Sequence, residues 1–253
     1  MASVTARLRF AVITLAVVAL VALVYVLRLI LSNDALLLDH VAERRTELTE
    51  IALWAGADPN FRDDDGRSAL PVAVELGDSE LVRMLLAAGA DPNALTSYGE
   101  PVAVVAAGSG ESGILALLLD AGADPNARGE TGIAVLVAAV LSGDAEIVRM
   151  LLESGADPNV LAEEGFSVLA LAVDRGDVAV AQLLLDAGAD PNGPGIAELA
   201  RRSGNADILR MLEAGFVTGE ALMALAELGL NALGSLDEII GGMICIFTLG
   251  LGC

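Results

Sequence analysis

The chain has 253 residues, 55% hydrophobic and only 3% aromatic, with 14 basic side chains against 35 acidic ones. The net charge is −21 and the mean hydropathy +0.65, so an acidic surface must coexist with a large buried or membrane-embedded apolar fraction. All the basic residues are Arg, and a chain this acidic is repelled by polyanions, which excludes nucleic acid as a partner. One His (His40) and two Cys (Cys245, Cys253) leave no His/Cys zinc site and no catalytic triad away from His40. Without Lys there is no Walker-type phosphate loop. The expectation is a protein that is not an enzyme, with no cofactor, no metal and no small-molecule substrate.

Residues 1–33 read as a membrane anchor. Phe10–Leu31 is apolar but for Thr14 and Arg28, with Leu15, Leu20, Tyr25 and Leu27 among its membrane-facing candidates. As a helix rising ~1.5 Å per residue, the run is about 33 Å long, enough to cross a hydrocarbon core of ~30 Å. Arg28 lies near enough to its end to reach the head groups. The competing reading, a cleaved signal peptide, is disfavoured by the length of the run and by the absence of a small-residue cleavage site after it. Arg7 and Arg9 argue for an inside amino terminus, while Arg28, Arg44 and Arg45 argue the reverse. Long folded domains translocate despite their charge, and the expectation is a single-pass protein with its folded domain on the non-cytoplasmic side.

The body of the chain is periodic. GADPN recurs five times, at Gly56, Gly89, Gly122, Gly155 and Gly188, at intervals of 33 residues. Two further glycine series keep the same interval: Gly66, Gly99, Gly132 and Gly165, then Gly77, Gly110, Gly143 and Gly176. Within a unit, Ala69–Leu76 predicts a short apolar helix stopped by Gly77, and Asp78 predicts the cap of a second. Glu111, Asp144, Asp177 and Asn205 occupy the equivalent cap positions. Leu81, Val82, Leu85 and Leu86 continue at helical spacing, and Asp91-Pro92-Asn93 forbids continuation beyond Gly89. A turn or hairpin must follow, up to Gly99.

Gly66–Asn93 (GRSALPVAVELGDSELVRMLLAAGADPN) and Ala145–Asn159 (AEIVRMLLESGADPN) closely resemble the ankyrin repeat. The family's Thr-Pro-Leu-His element is Ser68-Ala69-Leu70-Pro71 here, so the first helices lean more on apolar contact. The resemblance implies an all-α solenoid of helix–turn–helix units joined by short β-hairpin loops, over residues 34–215. Asp34–Asn60 is an entry unit with both helices. Phe61–Asn93, Ala94–Asn126, Ala127–Asn159 and Val160–Asn192 are complete repeats, and Gly193–Gly215 is a cap that lost most of its hairpin. One repeat cannot bury its own apolar face, and six units suffice.

Residues 216–253 form an apolar tail. Glu220, Glu227, Asn231, Ser235 and Glu238 make a polar stripe on an otherwise apolar helix, and no charge follows Glu238. The tail either seals the last repeat or inserts in, or docks on, something in the membrane. Stacked units at ~8–10 Å put the two ends of the solenoid roughly 50 Å apart, so among the membrane options docking on a partner is favoured.

Resemblance to ankyrin proteins implies binding through the concave face of hairpin tips and first helices. The tips supply Arg62, Asp64, Asp65 and Arg67; Tyr98 and Glu100; Arg128 and Glu130; and Glu163, Glu164 and Phe166. Tyr98 and Phe166 suit interface anchoring in a chain with eight aromatics. Asp63-Asp64-Asp65 lacks the distant bidentate Glu of a calcium loop and reads as a solvated turn. Gly108–Gly113 matches G-x-G-x-x-G but follows no strand, which rules out dinucleotide binding. His40 reads as a surface histidine, and Trp54 as an interfacial or packing residue. The function these readings support is a membrane-anchored, non-catalytic module binding protein partners, integral membrane proteins among them. The rival is a permanent accessory subunit of a membrane complex, held by the amino-terminal helix and the apolar tail.

Overall fold

The structure is a computed structural model that describes residues 16–24, 26, 33–162 and 165–212. Helices come in antiparallel pairs. The first members are Asp34–Ala42, Ala69–Glu75, Val102–Gly108, Val135–Ser142, Val168–Arg175 and Ile196–Ser203. Their partners are Thr46–Ala55, Ser79–Ala87, Ser112–Asp120, Ala145–Glu153 and Val178–Asp186, followed by helical residues 206–212. First helices pack on neighbouring first helices, and second helices on second helices, giving two parallel layers. Among the described residues there is no strand. The loops carry isolated antiparallel bridges, Leu95 with Pro101, Arg128 with Ala134 and Leu161 with Ser167.

The helices stop and start where the sequence predicts. Leu76 caps Ala69–Glu75, and Gly77 follows at φ +67°, a conformation that costs a residue without Cβ little. Asp78 accepts from the Leu81 amide at 3.1 Å, and Asp144 from those of Glu146 and Ile147 at 2.9 and 3.3 Å. Asn205 does the same for Asp207 and Ile208 at 3.0 and 3.4 Å. Glu111 and Asp177 hold the cap position without a side-chain bond to the helix. For Glu111 the extra methylene explains this, since it carries the carboxylate past the amides that Asp reaches.

One apolar core runs the length of the stack, from Leu37 to Leu212. Its large, fully buried members, such as Leu81, Leu85, Leu115, Leu118, Ile147, Leu151 and Leu184, come mostly from the second helices. The first helices contribute Leu37, Leu70, Leu136 and Leu169 and, beside them, many small residues: Ala73, Ala103, Ala106, Ala107, Ala139 and Ala172 are all buried. Small side chains let short first helices approach one another closely while the branched residues of the second layer fill the space between. His40 differs from the surface residue expected of it. It is half-buried, and its Nδ1 is shielded without a hydrogen-bond partner.

GADPN acts as the joint between units. Its Asp closes its own turn, as in Asp91 Oδ1 accepting from the Asn93 amide at 2.9 Å. The Asn reaches forward: Asn93 Oδ1 accepts from the Asp124 amide at 2.8 Å, and its Nδ2 donates to the Gly122 carbonyl at 3.4 Å. Asn60, Asn126 and Asn159 make the same pair of bonds to Asp91 and Gly89, Asp157 and Gly155, and Asp190 and Gly188. Asn192 turns back to Asp190 Oδ1 instead, at 3.1 Å. In the entry unit Asp34 takes the Asn role, accepting from the Asp58 amide at 2.7 Å.

Of the membrane candidates, Phe10, Leu15, Tyr25, Leu27 and Arg28 lie outside the described residues. Residues 16–24 are helical, and Leu20 is 60% exposed there with Val17, Val18, Val21 and Leu23 alike. Among the described residues, no helix is long and apolar enough to cross a membrane. The apolar tail, residues 216–253, also lies outside the described residues.

Candidate partner-binding face

The hairpin tips are tied to one another. Arg62 donates to the Gly66 carbonyl within its own turn at 3.2 Å and to the Leu95 carbonyl of the next hairpin at 3.3 Å. Arg128, two units on, does the same to Gly132 at 3.2 Å and Leu161 at 3.3 Å. Both guanidinium groups therefore brace adjacent loops. Asp63 accepts from the Arg67 and Asp65 amides at 2.8 and 3.0 Å and pairs with the Arg67 side chain at 2.8 Å. Desolvation pushes the Asp63 carboxyl up. The hydrogen bonds and positive charge of Arg67, with the Asp65 amide, outweigh it and leave the group below its ordinary value. Asp64 and Asp65 are exposed, and Asp65 lies 3.8 Å from Arg67.

The two central tips interlock. Glu100 Oε1 accepts from the Thr131 amide at 3.2 Å, and the Glu130 amide donates to the Gly99 carbonyl at 3.3 Å. The Glu100 carboxylate lies so close over Gly129 that a Cβ there would sit 1.7 Å from Oε2. Glu130 covers Gly99 in the same way, 2.5 Å from the position of a Cβ. The second oxygen of Glu100 is shielded and has no hydrogen-bond partner. Tyr98 projects beyond this latch and is 80% exposed. Glu163 and Glu164 lie outside the described residues.

Phe166 stands elsewhere, at the mouth of a groove of about 440 Å³ on the hairpin and first-helix face. Ile133, Val137 and Leu141 line one side, and Ala162, Ala170, Leu171 and Leu199 the other. Asp174 and Arg202 close one end with an ion pair at 2.9 Å. Phe166 is 40% exposed and Leu141 48%, so two large apolar side chains face solvent where the unit is otherwise packed. Phe166 stands out in the sequence; Ile133, Leu141 and Leu171, which line the same groove, do not, because they read as core residues of apolar first helices, and Val137 beside them is core. Counting by repeat would have found them. Ile133 and Phe166 occupy the position held by Arg67 and Glu100 in earlier units, and Leu141 that of Glu75. The first of these positions turns from charged to apolar along the stack, whereas the second returns to charge at Asp174.

Among the described residues no group of three or more His, Cys, Asp or Glu is placed to hold a metal ion. What the site offers is apolar surface rimmed by charge on a rigid ladder of units, the property of a binding scaffold. A family model described as "Ankyrin repeats (3 copies)" matches residues 37–129, 105–194 and 136–216, and the chain belongs to the ankyrin-repeat family. No match was found among curated proteins. Ankyrin repeats are typically non-catalytic interaction modules, and they support a role in protein–protein interaction.

Proposed function

We propose that the chain is a non-catalytic, membrane-tethered module that holds a protein partner on its first-helix face. Partner contact centres on the groove around Phe166 and Leu141, with Tyr98 as a second anchor. The observation that carries this reading is the apolar groove itself, because Arg62, Asp63 and Arg67 of the first hairpin are already engaged with their neighbours while Phe166 and Leu141 keep 40% and 48% of their surface exposed. A partner that fits it presents large apolar side chains beside polar groups able to meet the Asp174–Arg202 pair. Tethering rests on the apolar run Phe10–Leu31 and on the exposed Val and Leu side chains of residues 16–24, which are costly to leave in water. Confinement to the membrane plane raises the effective concentration for integral membrane partners. The non-cytoplasmic side remains our proposal for the repeat domain.

The test is affinity purification of the full chain from membranes in mild detergent, beside Phe166→Ala with Leu141→Ala, and beside a chain lacking residues 219–253. Stoichiometric partners that vanish with the groove variant and survive the truncation support this reading. Partners that vanish with the truncation and ignore the groove variant sink it in favour of a permanent subunit held by its tail.

A further inference from the structure

The entry unit exposes large apolar side chains at positions that later units either bury or fill with small and acidic residues. Leu48 stands one repeat length before Leu81, and Leu36 one repeat length before Ala69. Leu81 and Ala69 are buried at 0% and 3%, whereas Leu48 and Leu36 are 39% and 37% exposed. Position in the stack accounts for the difference. Each later unit covers this face with the unit before it, and Asp34–Asn60 is the first. Ile51 and Trp54 follow Leu48 at intervals of three along Thr46–Ala55. Ile51 stands where later units carry half-buried Met84, Leu117, Met150 and Leu183, and Trp54 where they carry exposed Ala87, Asp120, Glu153 and Asp186. Only the entry unit therefore continues the stripe outward with a large apolar side chain.

The geometry fixes which end of the unit this stripe reaches. The two helices run antiparallel and are joined by Glu43–Arg45, so the end of the second returns to the start of the first. The 2.7 Å bond from the Asp58 amide to Asp34 closes that end. Trp54 therefore lies where the chain enters the unit, and His40, Glu43, Arg44 and Arg45 lie at the opposite end. Only Ser32 and Asn33 separate Asp34 from Leu31, the last residue of the apolar run.

We infer that this face rests on the bilayer surface, with Trp54 in the interfacial layer and Ile51 and Leu48 behind it. The inference rests on the tethering reading above and sharpens it. A two-residue link spans at most ~7 Å, so a span ending at Leu31 holds this end of the unit at the head groups. Indoles concentrate in that layer because it is apolar on one side and wet on the other. Leu48 lies about 9 Å along the helix axis from Trp54, so Trp54 enters deepest. The charges on the two helices are mostly acidic: Asp34, Asp39, Glu43, Glu47 and Glu50. Arg44 donates to the Leu76 carbonyl at 2.6 Å and Arg45 pairs with Glu43 at 2.7 Å. Such a face suits zwitterionic lipid and avoids anionic lipid.

Trp54 is the only tryptophan of the chain, so its fluorescence reports this site alone. The full chain is reconstituted into phosphatidylcholine vesicles, and its emission is compared with acrylamide and with phospholipids brominated near the head group as quenchers. The inference expects blue-shifted emission, protection from acrylamide, quenching by the brominated lipid, and loss of most of that quenching in Ile51→Glu. Emission accessible to acrylamide, from a protein that resists carbonate extraction, overturns the inference and leaves the tether standing. Protected emission that brominated lipid does not quench overturns it too, because a second copy or a partner then covers the face. Release of the protein by carbonate removes the tether and the inference with it.

Discussion

Two surfaces of this stack follow opposite rules. On the GADPN side the same five residues return at every unit boundary, and Asn60, Asn93, Asn126 and Asn159 each make the same bonds from one unit to the next, Asn192 alone turning back on its own turn. On the first-helix face equivalent positions change at each step: Arg67, Glu100, Ile133 and Phe166, or Glu75, Gly108, Leu141 and Asp174. Stacking identical units demands identical joints, so the repeated surface is where the fold is specified. The face free of that demand is where recognition can vary. Substitutions on the first surface should therefore read out as stability, and on the second as binding.

The largest effect should come from the core that both surfaces share. Leu118 is fully buried between units, and Leu118→Ala should cost ~2–5 kcal/mol in urea unfolding, with loss of a single cooperative transition as the stack splits at the cavity. Unchanged stability would mean that the units are not stacked as described. Next is the variable face. Phe166→Ala should weaken partner binding by ~2 kcal/mol, about thirtyfold, because aromatic anchors dominate interfaces, and should move the unfolding midpoint little. An equal loss of stability and binding would return Phe166 to the core and erase the contrast.

A third substitution pair sharpens the repeated side. Asn126→Ala removes two bonds that cross a joint and should cost about 1–3 kcal/mol, at ~0.5–1.5 kcal/mol per bond. Asn192→Ala removes the same side chain where no full repeat follows, and only its contact with Asp190 is lost. Its cost should be a fraction of the first. Equal costs would show that the Asn contributes through its own turn and not through the joint.

Much of this was legible in the sequence because it is periodic. The 33-residue interval, the helix boundaries around Gly77, the Asp78 and Asp144 caps and the truncated last unit all follow from residues whose roles are local. The joint was not legible, because Asn93 acts on Asp124 and Gly122, a full repeat away, and its own turn gives no hint of that. Arg62 and Arg128 are a second case: an exposed Arg at a loop tip gives no sign, within its own turn, of the next hairpin's carbonyl that it bonds. Glu100 and Gly129 are a subtler case, since the close approach across units is invisible in either tip alone. The groove was half visible. Phe166 announced itself as a rare aromatic, whereas Leu141 and Ile133 hid among apolar helix residues and emerge only by comparing equivalent positions.

The smallest effect concerns the first hairpin, where the two rules meet. Asp63 serves the fold from a loop tip, accepting from Arg67 and Asp65, and the net effect lowers its carboxyl below the ordinary value of 3.8 while raising that of the Arg67 guanidinium. A carboxyl more acidic in the folded state than in the unfolded one stabilises fully above pH 3.8, and the contribution disappears as pH falls through the lower, folded value. Acid also discharges the rest of this acidic protein, so the informative quantity is the stability of the chain minus that of Asp63→Asn, followed from neutral pH downward. That difference should hold steady above pH 3.8 and shrink below it, because protonated Asp63 and Asn are close in shape and both uncharged. A difference that stays flat through the acid range would mean that Arg67 gains nothing from the charge on Asp63. The hairpin would then owe its shape to the backbone bonds that Asn also accepts, and Arg67 would be free for a partner, as the tip charges of a recognition surface should be.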